Sequence, residues 1–476
     1  MKKVNQFLLV SLIPILLLLL VNSCKKEESR PNIILVMADD QGWGDMAYYN
    51  HPVLKTPNFD AMAEEGLRFD QFYASSPVCS PTRGSVLTGR HPNRFGCFSW
   101  GHSLRPQEVT IAEVLKEAGY VTGHFGKWHL GSALKDSPVN PGNSGFDEWV
   151  SAPNFFDSDP ILSRGGTAVQ FKGESSMVTV DVTLEFIKKH KEEDRPFFAV
   201  VWFGSPHNPF IAEEQDKILY SSEDENLQNY YGEITGMDRA FGKLRNSLRE
   251  LGIAENTILW YNSDNGGRKE LSVTGGRDGK GSVYEGGLRV PAIIEWPDRI
   301  KKPRTVQIPC NTYDIYPTIL DILNISPPNQ RPLDGISLVD VMDNEIEKRP
   351  KAMGFWDYSE NGIIVPSKVW MSDLLQAQKE GKPWGEEIHL RGEAGIISKQ
   401  YPLDTFPGHA AWLDWPWKLH RIENDGMVNF ELYSLKDDPM EETDRSEQEK
   451  ERALQMKKAL EIWLRSVVNS LNGGDY

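Results

Sequence analysis

Cysteine is scarce: the chain has four in 476 residues, Cys24, Cys79, Cys97 and Cys310. That is too few for disulfides to organise a chain of this length, so each thiol needs its own explanation. Basic residues are also in deficit, with 52 Lys and Arg against 68 Asp and Glu and a formal charge of −16. A chain-wide polycation that grips nucleic acid through its phosphates is excluded, and no nucleic-acid partner is expected. A small basic pocket for one anionic group remains open. No uninterrupted apolar run reaches the roughly 20 residues of a comfortable membrane span, and no internal repeat is visible. What is present in quantity is ordinary. At 39% hydrophobic and 25% charged, with 14 Trp and 15 Tyr, the composition is that of a packed globular chain.

The N-terminus reads as a processing signal. Lys2 and Lys3 precede an apolar run from Phe7 to Val21 that ends in Asn22-Ser23-Cys24, the layout of a secretory signal. Val21-Asn22-Ser23-Cys24 resembles the lipobox of bacterial lipoproteins. The resemblance implies that Cys24 becomes the lipidated first residue, anchored in the cell envelope, on the outer membrane. Lys25-Lys26-Glu27-Glu28 is a charged tether similar to surface-export signals of some Gram-negative lipoproteins. Residues 1–23 are therefore set aside as signal peptide and 24–30 as tether. The rest divides into a main domain over 31–350 and a smaller C-terminal one over 351–476.

From Pro31 the pattern alternates. Ile33 to Ala38 is a continuous apolar run closed by Asp39-Asp40, which predicts a strand buried on both faces. Helices are expected over Thr56–Gly66, Thr110–Ala118, Val178–Lys191 and Tyr230–Gly252, and strands over Tyr120–Phe125, Pro196–Phe203 and Thr257–Asn262. Helices alternating with buried strands predict a doubly wound α/β sheet. Beyond about Pro350 the rhythm stops. A Trp-rich stretch over 411–418, the run Phe430 to Leu435 and a helix over Ser446–Asn469 predict a small antiparallel sheet with a closing helix.

In doubly wound sheets ligands gather beyond the carboxyl ends of the strands. Here those ends read Asp39-Asp40, Gly126-Lys127-Trp128-His129, Ser205-Pro206-His207-Asn208 and Ser263-Asp264-Asn265-Gly266. One polar strand end is unremarkable; four rich in Asp, His, Lys and Asn point to a site. Asp39, Asp40, Asp264 and Asn265 form an all-oxygen set suited to Ca²⁺ or Mg²⁺.

The most specific feature is Cys79-Ser80-Pro81-Thr82-Arg83. Cys-x-Pro-x-Arg resembles the maturation signature of type I sulfatases, in which a maturation enzyme oxidises the cysteine to formylglycine (3-oxoalanine). Ser85-Val86-Leu87-Thr88-Gly89-Arg90, Gly126 to Gly131, Asp264-Asn265-Gly266-Gly267 and Lys280 to Pro291 follow the same family's wording and order. The resemblance runs from about Pro31 to Asp444 and implies an alkaline-phosphatase-like α/β fold. It also implies sulfate-ester hydrolysis through a formylglycine hydrate at Cys79, with one Ca²⁺ held by Asp39, Asp40, Asp264 and Asn265 and touching residue 79. A geminal diol can attack sulfur through one oxygen and later expel sulfate by restoring the aldehyde, which a simple serine cannot do.

The remaining roles follow from charge and titration. Arg83, Lys127 and Lys280 would supply fixed positive charge to the nucleophile and sulfate oxygens, and Asp264 a base for the diol. His207 is expected as general acid toward the leaving oxygen and His129 as the group that accepts the remaining hydroxyl proton, although the two roles could be exchanged. Cys97 and Cys310 are expected as free buried thiols. His102, Trp356, Arg391, His409 and Trp412 are candidate walls of a sugar pocket.

The expected activity is removal of sulfate from a glycan, with algal polysaccharides of ulvan, carrageenan or fucoidan type ranked first. A phosphonate or phosphate ester hydrolase, and a non-catalytic surface glycan-binding lipoprotein, stay open as alternatives. A two-zinc phosphodiesterase is disfavoured because a second set of His and Asp ligands is not recognisable.

Overall fold

The computed structural model describes residues 30–193 and 195–476. The signal peptide, Cys24 and nearly all of the tether lie outside the described residues.

The strands are β1 (Asn32–Ala38), β2 (Leu67–Phe69), β3 (Phe72–Tyr73), β4 (Val121–Lys127), β5 (Glu148–Ala152), β6 (Ile161–Arg164), β7 (Thr167–Gln170) and β8 (Phe197–Trp202). They continue as β9 (Thr257–Ser263), β10 (Ala292–Glu295), β11 (Arg304–Val306), β12 (Cys310–Asn311), β13 (Met353–Asp357), β14 (His409–Asp414), β15 (Trp417–Asn424) and β16 (Met427–Ser434). Ten of them form one mixed sheet in the order β11-β2-β10-β9-β1-β8-β4-β5-β6-β7. Its centre, β9 to β5, is parallel. In register, Leu35 of β1 stands beside Val200 of β8 and Trp260 of β9.

The continuous apolar runs of the sequence are explained by two cores. Alternate residues of a strand face opposite sides, and Ile33, Leu35 and Met37 join one cluster while Ile34, Val36 and Ala38 join another. The first side is covered by Val86 and Leu87 of a helix over Cys79–Thr88, by Ile111, Val114 and Leu115 of Ile111–Glu117, and by Ile315 and Ile319. The second is covered by Phe59 and Met62, by Phe186 and Ile187 of Ser175–Glu192, and by Met237, Phe241 and Leu244 of Glu225–Glu250. Truncating one such fully buried side chain to Ala costs about 2–5 kcal/mol.

The C-terminal sheet β13-β14-β15-β16 is antiparallel. One face packs on Leu460, Leu464 and Val468 of a helix over Lys450–Leu471. The other brings Phe355, Leu413 and Tyr433 against Tyr73 of β3 and against Val283, Tyr284 and Leu288, in the segment that follows Lys280. The small sheet therefore braces the segment that follows Lys280. Among the described residues no helix is long and apolar enough to cross a membrane.

Candidate active site

Every strand end singled out above reaches one buried cluster. Asp39 and Asp40 leave β1, Lys127 closes β4, and Asp264 and Asn265 leave β9. Cys79 opens its helix as the first helical residue, after Val78 in extended conformation. A helix start presents unpaired N–H groups and a positive dipole end, a suitable floor for an anion.

The cluster is held by charge. Lys127 Nζ lies 2.7 Å from Asp39 Oδ2, Lys280 Nζ 2.6 Å from Asp40 Oδ2, and Arg83 Nη2 2.7 Å from Asp264 Oδ2 and 3.5 Å from Asp39 Oδ1. Arg83 also lies against Trp202, its guanidinium 5.1 Å from the ring centre. Asp39, Arg83, Lys127 and Asp264 are wholly buried. Three carboxylates matched by three cations make such burial tolerable, because an unpaired buried charge costs several kcal/mol.

Burial pushes the Asp264 carboxyl up to about 6 despite Arg83. For Asp40 burial acts in the same sense, but Lys280, His207 and Lys127 outweigh it and hold the carboxyl well below the usual range. Burial raises the Cys79 thiol against the pull of Lys127 and Lys280, so it is not a ready thiolate. Asp40 (φ 70°) and His129 (φ 53°) both adopt left-handed backbone conformations. Strained residues of this kind concentrate at functional sites.

The donor chemistry fits a hard cation. Asp39, Cys79 and Asp264 each place a possible ligand atom within 4.8 Å of the others, as do Asp39, Asp40 and His207. Asp39 Oδ1 and Asn265 Oδ1 are buried acceptors that no donor reaches by hydrogen bond, whereas Asn265 Nδ2 donates to Asp40 Oδ1 at 2.8 Å. Buried oxygen atoms left without a donor are rare unless something else satisfies them. The loops carrying these groups approach backbone to backbone. Gly266 N–H donates to Gly287 O at 2.9 Å, and a Cβ on Gly266 would sit 1.9 Å from Gly286 O.

The two histidines differ in access. His129 is 3% exposed and neither of its ring nitrogens has a hydrogen-bond partner. His207 is 18% exposed at its side chain, with Nε2 3.7 Å from Asp40 Oδ2 and Nδ1 2.6 Å from the Asn208 carbonyl. Burial, reinforced by Lys127 and other nearby cations, lowers the basicity of His129; burial also lowers His207, to about 3, against the opposing pull of Asp40, so each is neutral here. His207 and Lys280 line an open cleft of about 610 Å³ with Asp40, Asn208, Arg268 and Lys269.

All of Asp39, Asp40, Cys79, Arg83, Lys127, His129, His207, Asp264, Asn265 and Lys280 are thus in or at one site. The candidate sugar-pocket residues are not. His102 and Arg391 share a separate cavity of about 580 Å³. Trp356 is fully buried and donates to Pro407 O, Trp412 packs against Trp463, and His409 bonds to His420 inside the C-terminal sheet. Cys97 and Cys310 are free and buried. Arg268-Lys269, directly after Asp264 to Gly267, was a visible basic signal passed over; nothing in the sequence marks Phe155, whose ring stacks on His207.

The Sulfatase family model matches residues 31–325. N-acetylgalactosamine-6-sulfatase of Canis lupus familiaris is 33% identical over 366 residues, 67% of this chain and 67% of that protein. An ulvan-active sulfatase of Formosa agariphila is 32% identical over 351 residues, 68% of this chain and 66% of that one. The chain therefore spans about two thirds of the length of these relatives. Among solved structures, Ps i-CgsB in complex with k-i-k-neocarrahexaose superposes with a TM-score of 0.75 at 23% identity, over 91% of this chain and 93% of that one. These matches agree with the fold and with the chemistry gathered at the strand ends: the chain is a sulfatase, a member of the sulfatase family.

Proposed function

We propose that this sulfatase removes sulfate from a sulfated glycan, of ulvan, carrageenan or fucoidan type, using a formylglycine matured from Cys79 and one Ca²⁺. The observation that carries the reading is the position of Cys79, at a helix start beside three carboxylates and three cations. Asp39, Asp40, Asp264 and Asn265 would hold the ion, which supplies Lewis-acid charge neutralisation when bound. Formylglycine supplies an oxygen nucleophile as its hydrate.

The chain's own residues do the rest. Lys127 and Lys280 bind sulfate oxygens, and Arg83 fixes Asp264 and the floor of the site. These donors are already oriented, so they stabilise developing charge without reorganising. His207, the more exposed histidine and the one on the cleft, keeps its Nδ1–H on the Asn208 carbonyl and turns the Nε2 lone pair toward the site. It takes up a proton there when the anionic ester binds, and the imidazolium so formed delivers that Nε2 proton to the leaving oxygen. His129, enclosed and with both nitrogens free, accepts a proton within the pocket. The wide, polar cleft suits a sugar chain better than a small flat aryl group.

We further propose that residues 31–350 form the catalytic domain and 351–476 its brace, and that Cys24 carries a lipid anchor holding the enzyme on the cell envelope, outside the cytoplasm. Extracytoplasmic anchoring suits polysaccharide foraging. The test is peptide mass spectrometry of the tryptic fragment Phe69–Arg83 from a host with a formylglycine-generating enzyme. Cys79 is expected as the aldehyde; a persistent thiol would overturn the nucleophile and favour a glycan-binding role. Matched aryl sulfate and phosphate esters decide between sulfatase and phosphoesterase, and preference for phosphate would displace the first reading.

A further inference from the structure

Buried arginines in this chain have acceptors. Arg83, Arg90, Arg94, Arg245 and Arg349 face Asp264, Glu108, Asp334, Glu295 and Asp314. Arg289 and Arg421 donate to the carbonyls of Asp70 and Phe406. Arg83 and Arg90 leave only Nε without an acceptor; among the described residues Arg105 and Arg391 alone leave a buried terminal Nη nitrogen unpaired, and both line the same cavity of about 580 Å³. Arg105 is 7% exposed; its Nη2 donates to Leu471 O at 3.2 Å, but no acceptor reaches its Nη1. Arg391 is half-buried, and neither its Nε nor its Nη2 has an acceptor. Burial works against the Arg391 charge with nothing to offset it.

The other charges around the cavity do not repair this. Glu387 and Glu393 line it but are exposed, and among the described residues neither is within ion-pair distance of Arg105 or Arg391. Lys399 turns to Glu360 at 3.5 Å and lies over Tyr401, while His102 Nε2 lies 2.9 Å from the Asn361 carbonyl. A guanidinium presents a planar fork of donors matched to sulfate and carboxylate. The Arg105 guanidinium faces the Tyr476 ring at 5.2 Å, but buried N–H donors on both arginines still point at no acceptor, an incomplete arrangement unless an anion completes it.

The cavity is coupled to the catalytic centre through short links. Gly101 N–H donates to the hydroxyl of Ser80, the neighbour of Cys79, at 2.8 Å, and Leu104 N–H donates to the carbonyl of Leu130, the neighbour of His129, at 2.9 Å. The segment 101–105 thus runs from the nucleophile's helix to Arg105. We infer that the Arg105–Arg391 cavity is a second anion subsite, which binds a sulfate or carboxylate on a sugar other than the one being desulfated. It would make the enzyme selective for polyanionic glycan chains over isolated sulfate monoesters. The inference rests on the sulfatase reading for its substrate class, but binding itself does not require turnover.

The experiment uses the matured full chain. Sulfate-only carrageenan tetrasaccharides and uronate-bearing ulvan tetrasaccharides compete against 4-nitrophenyl sulfate, and calorimetry measures the same oligosaccharides directly. Selectivity is the ratio of oligosaccharide affinity to that for the aryl ester. Arg391→Gln is expected to lower this ratio at least about ten-fold, the loss of one charge-assisted contact, and Arg391→Lys to retain part of it. Arg105→Lys, a milder change at the more buried position, is expected to act in the same direction. A larger loss with one oligosaccharide class identifies the anion as sulfate or carboxylate. An unchanged ratio, or absence of oligosaccharide binding to the parent chain, overturns the subsite. Failure to hydrolyse any sulfate ester while the Arg391-dependent binding persists would instead overturn the catalytic reading alone.

Discussion

The ring of Phe155 lies flat on the imidazole of His207, with centroids 4.3 Å apart and planes 21° apart. Its contact fixes the face of the histidine, while the Nδ1 contact to the Asn208 carbonyl fixes the edge. Together they direct Nε2 toward Asp40. Phe155 also lines a largely apolar cavity of about 500 Å³ with Pro209, Val365 and Val369, beside the histidine. Loosening the ring should therefore impair proton delivery more than binding of the sulfate.

The consequence is a dependence on the leaving group. A sugar alkoxide needs a proton as it departs, whereas a nitrophenolate hardly does. Phe155→Leu should slow a sugar sulfate by about ten-fold or more but 4-nitrophenyl sulfate by less than about two-fold, with Phe155→Tyr close to the parent. Steady-state rates on both esters give the comparison. A uniform loss would reduce Phe155 to a support of the fold.

Calcium should stabilise the folded chain. Asp39, Asp40 and Asp264 converge in a site whose Asp39 Oδ1 and Asn265 Oδ1 have no hydrogen-bond donor. An ion that binds only the folded state at 100 times its Kd adds about 2.7 kcal/mol. Calorimetric unfolding should accordingly show a higher Tm with excess Ca²⁺ than with EGTA. Asp39→Asn should abolish most of that difference, whatever it does to the baseline. A Ca²⁺-independent Tm in the parent chain would count against the metal site.

Lys418 lies buried between Glu285 at 2.9 Å and Glu441 at 3.1 Å. Glu441 in turn accepts the Glu285 N–H at 2.6 Å and contacts His420 at 2.7 Å, and Tyr73 donates to Glu285 at 2.9 Å. The network pins the short helix Glu285–Leu288, just after Lys280, to the C-terminal sheet. Lys418→Met leaves two buried carboxylates without their cation and should cost about 3–5 kcal/mol in urea unfolding. A cost below about 1 kcal/mol, the level of a surface pair, would mean that the network is not holding the two sheets together.

Much of this arrangement was legible in the sequence, and the gaps have physical causes. Runs such as Ile33 to Ala38 announce a strand buried on both sides, and their polar ends marked the site because a parallel sheet delivers all of them to one edge. The Cys79–Thr88 helix was not expected: all its residues are buried, Ser-Pro-Thr-Arg-Gly included, so it has no amphipathic period to read. Two helices begin earlier than their apolar spacing, and the C-terminal one begins at Lys450, four residues after the expected Ser446. Ser175 and Glu225 open their helices on polar turns capped by Glu174 and Asp224, and apolar spacing begins only afterwards. Ser367–Glu380, whose first turn walls the Phe155 cavity, was missed because only a few of its positions are buried. Trp356, Trp412 and His409 looked like sugar-binding groups because composition cannot distinguish an aromatic that lines a cleft from one that fills a small sheet's core.

His91 should make stability depend on acidity. It is fully buried, its Nδ1 accepts from Asn93 N–H at 3.3 Å, its Nε2 has no hydrogen-bond partner, and its ring meets Trp463 edge-on at 4.9 Å. Arg94 and Asp334 are the charged groups beside it, and they are paired with each other. Burial lowers its pKa to about 3, with Asp334 opposing and Arg94 assisting. The unfolded chain takes up the proton near pH 6.5 and the folded chain does not until about 3. Between those values the unfolded state binds more protons, so stability falls as pH falls; above the window His91 contributes no pH dependence. At pH 5 the penalty from this one group is about 2 kcal/mol relative to pH 7.5. Urea unfolding of the parent and of His91→Gln at both pH values isolates it, because the other titrating groups are common to the two chains. The parent should lose about 2 kcal/mol more than the variant on acidification; equal losses would mean that the buried imidazole gains a proton without opening the contact with the C-terminal helix.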